Sequence, residues 1–157
     1  MTSDDLRKDL VERVRDALPA LQFSDAVAND YGEDNFVLEL DRTWIVRVPR
    51  DEANRRRFAA ELRLLPALRT VSPLAVPVYE HIASDGSMGA YRRIDGAEMT
   101  QPVFARLGAA AQAAALDSLG AFLGALRRLP MGTIRQRDGS IQRCWKGGAG
   151  GAFSTPA

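Results

Sequence analysis

Lysine is almost missing from this chain. Of its 21 basic residues only Lys8 and Lys146 are lysines, so any cation in the central body is a guanidinium. That excludes a Schiff-base lysine there, and also a Walker-type phosphate loop, whose Gly-Lys-Ser/Thr end does not occur. Cysteine and histidine occur once each, as Cys144 and His81. They leave no internal disulfide and no zinc-type ligand cluster. Neither sign of charge dominates: 20 acidic residues bring the formal charge to +1. Nucleic-acid partners are not expected, because there is no basic field to neutralise phosphates. No apolar run approaches the ~20 residues that span a bilayer, and the polar, acidic Met1-Thr2-Ser3-Asp4-Asp5 is not a secretory signal. The expected setting is the cytoplasm, with no membrane partner. What is present is ordinary for a globular chain of 157 residues, 46% hydrophobic and 26% charged, long enough to bury one core.

Apolar spacing then predicts the elements. Ser3 to Ala17 reads as a helix, with Ser3 as cap, Asp4 and Asp5 at its positive end, and Leu6, Leu10, Val11, Val14 and Leu18 on one stripe. Phe23 to Ala28 is a weak strand, followed by a polar turn around Gly32. Phe36 to Leu40 and Trp44 to Val48 form a hairpin about Asp41-Arg42-Thr43. Asp51 to Arg69 carries Phe58, Leu62, Leu65 and Leu68 at helical spacing, with Arg55, Arg56 and Arg57 facing water and Pro66 in the last turn. A second hairpin, Pro77 to Ala83 with Met88 to Ile94, includes His81 as a surface residue. From Pro102 a long alanine-rich helix aligns Leu116, Leu119, Leu123 and Leu126, with Gly120 and Gly124 allowing close packing. This order reads as α+β, a sheet layered on helix. After Pro130 the periodicity stops, and six of the thirteen glycines fall in Met131 to Ala157, which reads as a disordered tail.

The most informative position is Glu61. It lies three residues after Phe58 and four before Leu65, on the apolar stripe of its helix. A carboxylate there is costly unless paired. Arg47 is the natural partner, because strand alternation separates Ile45 and Arg47 from Val46 and Val48. On residues alone the pair reads equally as a structural ion pair, or as an Arg47 that snorkels to water.

Gly32-Glu33-Asp34-Asn35-Phe36-Val37, Trp44-Ile45-Val46-Arg47-Val48-Pro49-Arg50 and Glu61-Leu62-Arg63-Leu64-Leu65 resemble the N-terminal lobe of the aminoglycoside phosphotransferase family, the small-molecule branch of the protein-kinase-like fold. Val76-Pro77-Val78, Tyr91-Arg92-Arg93-Ile94-Asp95-Gly96 and Leu119-Gly120-Ala121-Phe122-Leu123-Gly124-Ala125-Leu126 continue the resemblance in order, over roughly residues 10 to 130. It implies an α+β protein-kinase-like N-terminal lobe in residues 1–95, about five antiparallel strands plus one long helix. The first helices of a truncated C-terminal lobe would follow in 96–130, and the tail would be 131–157. It also implies ATP or GTP with magnesium as cofactors. The turn bearing Gly32, Asp34 and Asn35 would cover the phosphates. Arg47 would stand where kinases usually place a lysine, with Glu61 as its helix partner. Tyr91, Arg93 and Ile94 would form the hinge beside the purine.

The resemblance also exposes an absence. The family's His-Gly-Asp-x-x-x-x-Asn loop does not occur, and after Asp117 the sole carboxylate is Asp138. No catalytic or metal-binding residue is therefore assigned. The resulting expectation is a truncated phosphotransferase, inactive as this chain, whose small-molecule hydroxyl acceptor binds only a full-length parent. The alternative is a non-catalytic nucleotide-binding or protein-interaction module. Truncation predicts an exposed seam of Leu119, Phe122, Leu123 and Leu126 on a helix spanning 107–129, and self-association through it.

Overall fold

The structure is a computed structural model that describes residues 3–29 and 32–129. Its elements are α1 (Ser3–Ala17), β1 (Ala26–Asn29), β2 (Asn35–Leu40), β3 (Trp44–Pro49), α2 (Glu52–Val71), β4 (Tyr79–Ile82), β5 (Gly89–Arg92), α3 (Gln101–Ala105) and α4 (Ala109–Arg128). The strands form one antiparallel sheet in the order β1-β2-β3-β5-β4. The expected tail, with Cys144, lies outside the described residues.

Period-2 alternation gives the sheet two unlike faces. Leu38, Leu40, Val46, Val48 and Ala90 turn to one side and are at most 1% exposed. Against them α1 lays Leu6, Leu10 and Val14, with Leu18 and Leu21 just beyond its end. The sheet is thus covered on both sides, since α2 crosses the opposite face over Arg47 and Gly89. Asp51 caps α2 by accepting from the Asn54 N–H at 2.8 Å. Pro66 does not end this helix: five more residues follow it to Val71, with the proline on the exposed side. Arg55, Arg56 and Arg57 are not merely solvated, since each has an acidic partner: Asp85, Glu52 and Asp34 respectively.

The β2–β3 turn places Asp41 (φ 48°) and Arg42 (φ 54°) in the left-handed region, and Thr43 N–H donates to the Leu40 carbonyl at 2.9 Å. Asp41 gains from its position. Its carboxylate accepts from the Asp25 N–H at 2.7 Å and from the Ser24 N–H and hydroxyl, which holds it below the usual carboxylate range. Left-handed backbone costs an L-residue roughly 1–2 kcal/mol, partly offset for glycine by its greater freedom when unfolded. Arg42→Gly is therefore expected to stabilise the fold by about 0.5–1 kcal/mol, read as a higher urea midpoint. A lower midpoint would show that the Arg42 side chain contributes more than its backbone costs.

The alanine-rich segment is two helices, not one. The chain leaves helical geometry at Leu107-Gly108, and Gly108 is the extended N-cap of α4. The expected seam is also only half exposed. Phe122, Ala125, Leu126 and Leu129 turn inward, with Phe122, Leu126 and Leu129 packing on Leu65 and Leu68 of α2. Leu116, Leu119 and Leu123 remain exposed at 58%, 50% and 51%. Gly120 and Gly124 mediate no close contact among the described residues. By length and composition α4 is apolar enough to cross a bilayer, contrary to the reading that no run approaches that length. Alanines supply most of that apolarity, and Asp117 interrupts it; a carboxylate at mid-bilayer costs about 2.5–3.5 kcal/mol.

Candidate functional site

The α2-facing side of the sheet carries the one partly buried charged cluster among the described residues. Arg47, at the middle of β3, donates through Nη1 to Glu61 Oε1 at 2.5 Å, and the two side chains are 27% and 24% exposed. Tyr79 of β4 donates its hydroxyl to the same Oε1 at 3.2 Å. Its ring meets Phe58 and Tyr91 edge-on, with centroids 5.1 and 5.3 Å apart. Burial pushes the Tyr79 and Tyr91 phenols above their ordinary range, reinforced at both by the charge of Glu61, so they stay neutral donors. Burial opposes the Arg47 cation, but its contacts with Tyr79 and the Glu61 carboxylate outweigh it and push the guanidinium above its ordinary range. Arg47 therefore does not snorkel to water but pairs with Glu61.

The turn before β2 is built around one close approach. A Cβ on Gly32 would stand 2.8 Å from the Asn35 carbonyl oxygen, so only glycine fits without movement. Arg50, just past β3, donates from Nε to the Gly32 carbonyl at 2.9 Å, and its guanidinium lies 4.0 Å from the centre of the Phe36 ring. Asp34 does not point freely at a ligand, because Arg57 Nη1 donates to it at 2.8 Å. This ties the turn to the first half of α2. Asn35 is 8% exposed, and its Oδ1 has no hydrogen-bond partner among the described residues.

At the other end of β3, Trp44 pairs with Arg92. Tyr91 sits within the sheet, opposite Ile45 on one side and Tyr79 on the other. The Arg93 N–H is committed to the Thr43 carbonyl at 2.8 Å, and the Arg93 side chain approaches Glu39 at 3.8 Å. The expected hinge strand thus ends at Arg92, with Ile94 beyond it and 43% exposed. Three groups line up along β3: the turn at Asn35 opposite Pro49, the ion pair at its middle, and the connector beyond Trp44. Gly32, Asp34 and Asn35 form one end, Arg47, Glu61 and Tyr91 the centre, and Arg93 and Ile94 the other end. No group of three or more His, Cys, Asp or Glu able to hold a metal ion occurs among the described residues, so they do not by themselves fit magnesium.

Sequence reasoning missed three of these partners. Arg50 and Arg57 carry no periodic signal toward a turn so far from them in sequence. Tyr79 was hidden by a β-bulge: β4 shifts register between Tyr79 and His81. In a regular strand residues two apart share a face. Here the bulge sends Tyr79 to the α2 side and His81 to the α1 side, where its ring meets Trp44 with centroids 4.9 Å apart.

A five-stranded antiparallel sheet with a long helix holding a strand-borne cation is the architecture of a kinase-like N-terminal lobe. The solved structures agree on this fold. A point mutant of aminoglycoside 2′-phosphotransferase-IIIa in complex with GDP superposes with TM-score 0.75 at 21% identity, over 82% of this chain and 43% of that one. ADP-bound APH(2″)-Ib gives 0.64 at 16%, over 78% and 40%. Macrolide 2′-phosphotransferase type I gives 0.52 at 22%, over 85% and 46%. The sequence model of the phosphotransferase enzyme family, APH, matches residues 25–146, and the chain belongs to that family. The matched segment runs past the composition change at Pro130. The chain spans less than half the length of these solved relatives. A search of the curated proteins gives no significant match.

Proposed function

We propose that these residues form the nucleotide-holding lobe of a kinase that phosphorylates a small-molecule hydroxyl. The observation that carries this reading is the Arg47–Glu61 ion pair at the centre of the sheet, between a glycine-dependent turn and the connector after β5. That order along one strand is the order of a nucleotide's parts: phosphates under the turn at Gly32, Asp34 and Asn35, and the purine beside Tyr91, Arg93 and Ile94. With the Arg93 N–H already taken, backbone contact to the purine is left to the Arg93 carbonyl and Ile94. The relatives solved with GDP or ADP support a nucleotide as ligand. Arg47 would hold its guanidinium toward the phosphates, with Glu61 fixing its direction.

On this reading the 157 residues hold nucleotide without transferring phosphate, because no aspartate stands in a catalytic-loop context. Thermal unfolding of the full chain is expected to shift upward with millimolar ATP or GTP and magnesium. A ligand at ~100 times its dissociation constant adds about 2.7 kcal/mol. Glu61→Ala is expected to remove most of the shift at the same nucleotide concentration. The exposed Leu116, Leu119 and Leu123 of α4 favour a second reading, a protein-interaction or self-associating module in the same setting. It would be supported by no shift with any nucleotide, together with concentration-dependent sedimentation.

A further inference from the structure

We infer that Tyr79 is a positioning residue, whose hydroxyl fixes Glu61 so that Glu61 holds the Arg47 guanidinium at the phosphate site. The inference deepens the nucleotide reading above and rests on it for its binding arm. Three independent features converge on this tyrosine. First, its hydroxyl and the Arg47 guanidinium donate to the same carboxylate oxygen, Oε1 of Glu61. A carboxylate on a long side chain has rotamer freedom that one salt bridge does not remove. A second donor from a different element restricts it to one position.

Second, the backbone is shaped to deliver this side chain. The bulge at Tyr79/His81 turns Tyr79 to the α2 side, although His81 faces Trp44. A regular β4 would send both residues to the same side and leave Glu61 without its second donor. Third, space is reserved for the ring. A Cβ on Gly89 would lie 2.8 Å from Tyr79 Cδ1 and 3.1 Å from Phe58 Cζ. Phe58 and Tyr91 then hold the ring edge-on from two directions. The phenol contributes a direction to the ion pair, and touches no phosphate itself.

Tyr79→Phe keeps the ring and its packing and removes only the donor. In the full chain, dissociation constants for ATP and GTP with magnesium are measured for the wild type, Y79F, E61A and Y79F/E61A. Y79F is expected to weaken binding about tenfold, the scale of a hydrogen bond to a charged group. In the E61A background the same change should alter affinity less than about twofold, because its effect runs through Glu61. Equal losses in both backgrounds would overturn the inference. Arg47 guanidinium N–H signals in NMR give a readout that needs no ligand. In Y79F they are expected to exchange with water several-fold faster than in the wild type. If the wild type binds no nucleotide, the functional reading fails, and these signals still decide the role of Tyr79. Unchanged Arg47 exchange in a folded Y79F chain would refute it.

Discussion

Leu10→Ala is expected to remove a large share of the stability of the fold. Leu10 is 1% exposed at the centre of α1, between Leu6 and Val14 and over the sheet face that carries Leu38, Leu40, Val46 and Val48. Emptying such a site costs about 2–5 kcal/mol, lost transfer energy plus the cavity left behind. Small domains hold only about 5–15 kcal/mol in total. Urea denaturation should place the midpoint of L10A far below the wild type with an unchanged slope. The family match begins at residue 25, after α1. The sheet inside the match nonetheless depends on a helix outside it, since its most buried face has α1 as its cover. A midpoint within experimental scatter of the wild type would mean that α1 is dispensable.

The second large effect concerns the ion pair. Arg47→Glu sets two carboxylates against each other where a salt bridge of 2.5 Å stood. The expected loss is about 2–3 kcal/mol, between the values for exposed and fully buried pairs. Nucleotide binding should disappear with it. The double variant R47E/E61R restores opposite charges across the same gap, and should recover stability to within about 1 kcal/mol. It should not recover nucleotide binding, because the cation now projects from α2 and not from β3. Recovery of both would assign the pair a purely structural role. An unchanged melting temperature in R47E would remove the pair from the stability account altogether.

Both predictions rest on features that differ in how readily the sequence shows them. The sheet face under α1 was legible because Val46 and Val48 alternate with Ile45 and Arg47, and the helix repeats Leu6, Leu10 and Val14 at the matching period. The Arg47–Glu61 contact was legible for a related reason: a charge on an apolar stripe needs a partner, and few cations were placed to supply one. The break at Leu107-Gly108 was not legible, since alanine and leucine on both sides are equally good helix formers. Nor was the inward turn of Phe122 and Leu126, which depends on how α4 meets α2. Tyr79 was beyond reach altogether, because pattern reading assumes a constant period and the bulge changes it by one residue. Asp34 is a further case, a turn residue whose carboxylate accepts from Arg57, a contact that no pattern in the sequence indicates.

The scarcity of lysine has a practical side. Many reagents that mark nucleotide sites work by acylating an amine, and Arg47 offers a guanidinium, protonated and poorly nucleophilic. Lys8 stands on α1, on the other side of the sheet from the ion pair, and Lys146 falls outside the described residues. A survey built on lysine labelling would find no target among the described residues of this site. Dicarbonyl reagents, which condense with guanidinium groups, are the matching chemistry, and bound nucleotide is expected to protect Arg47 from them.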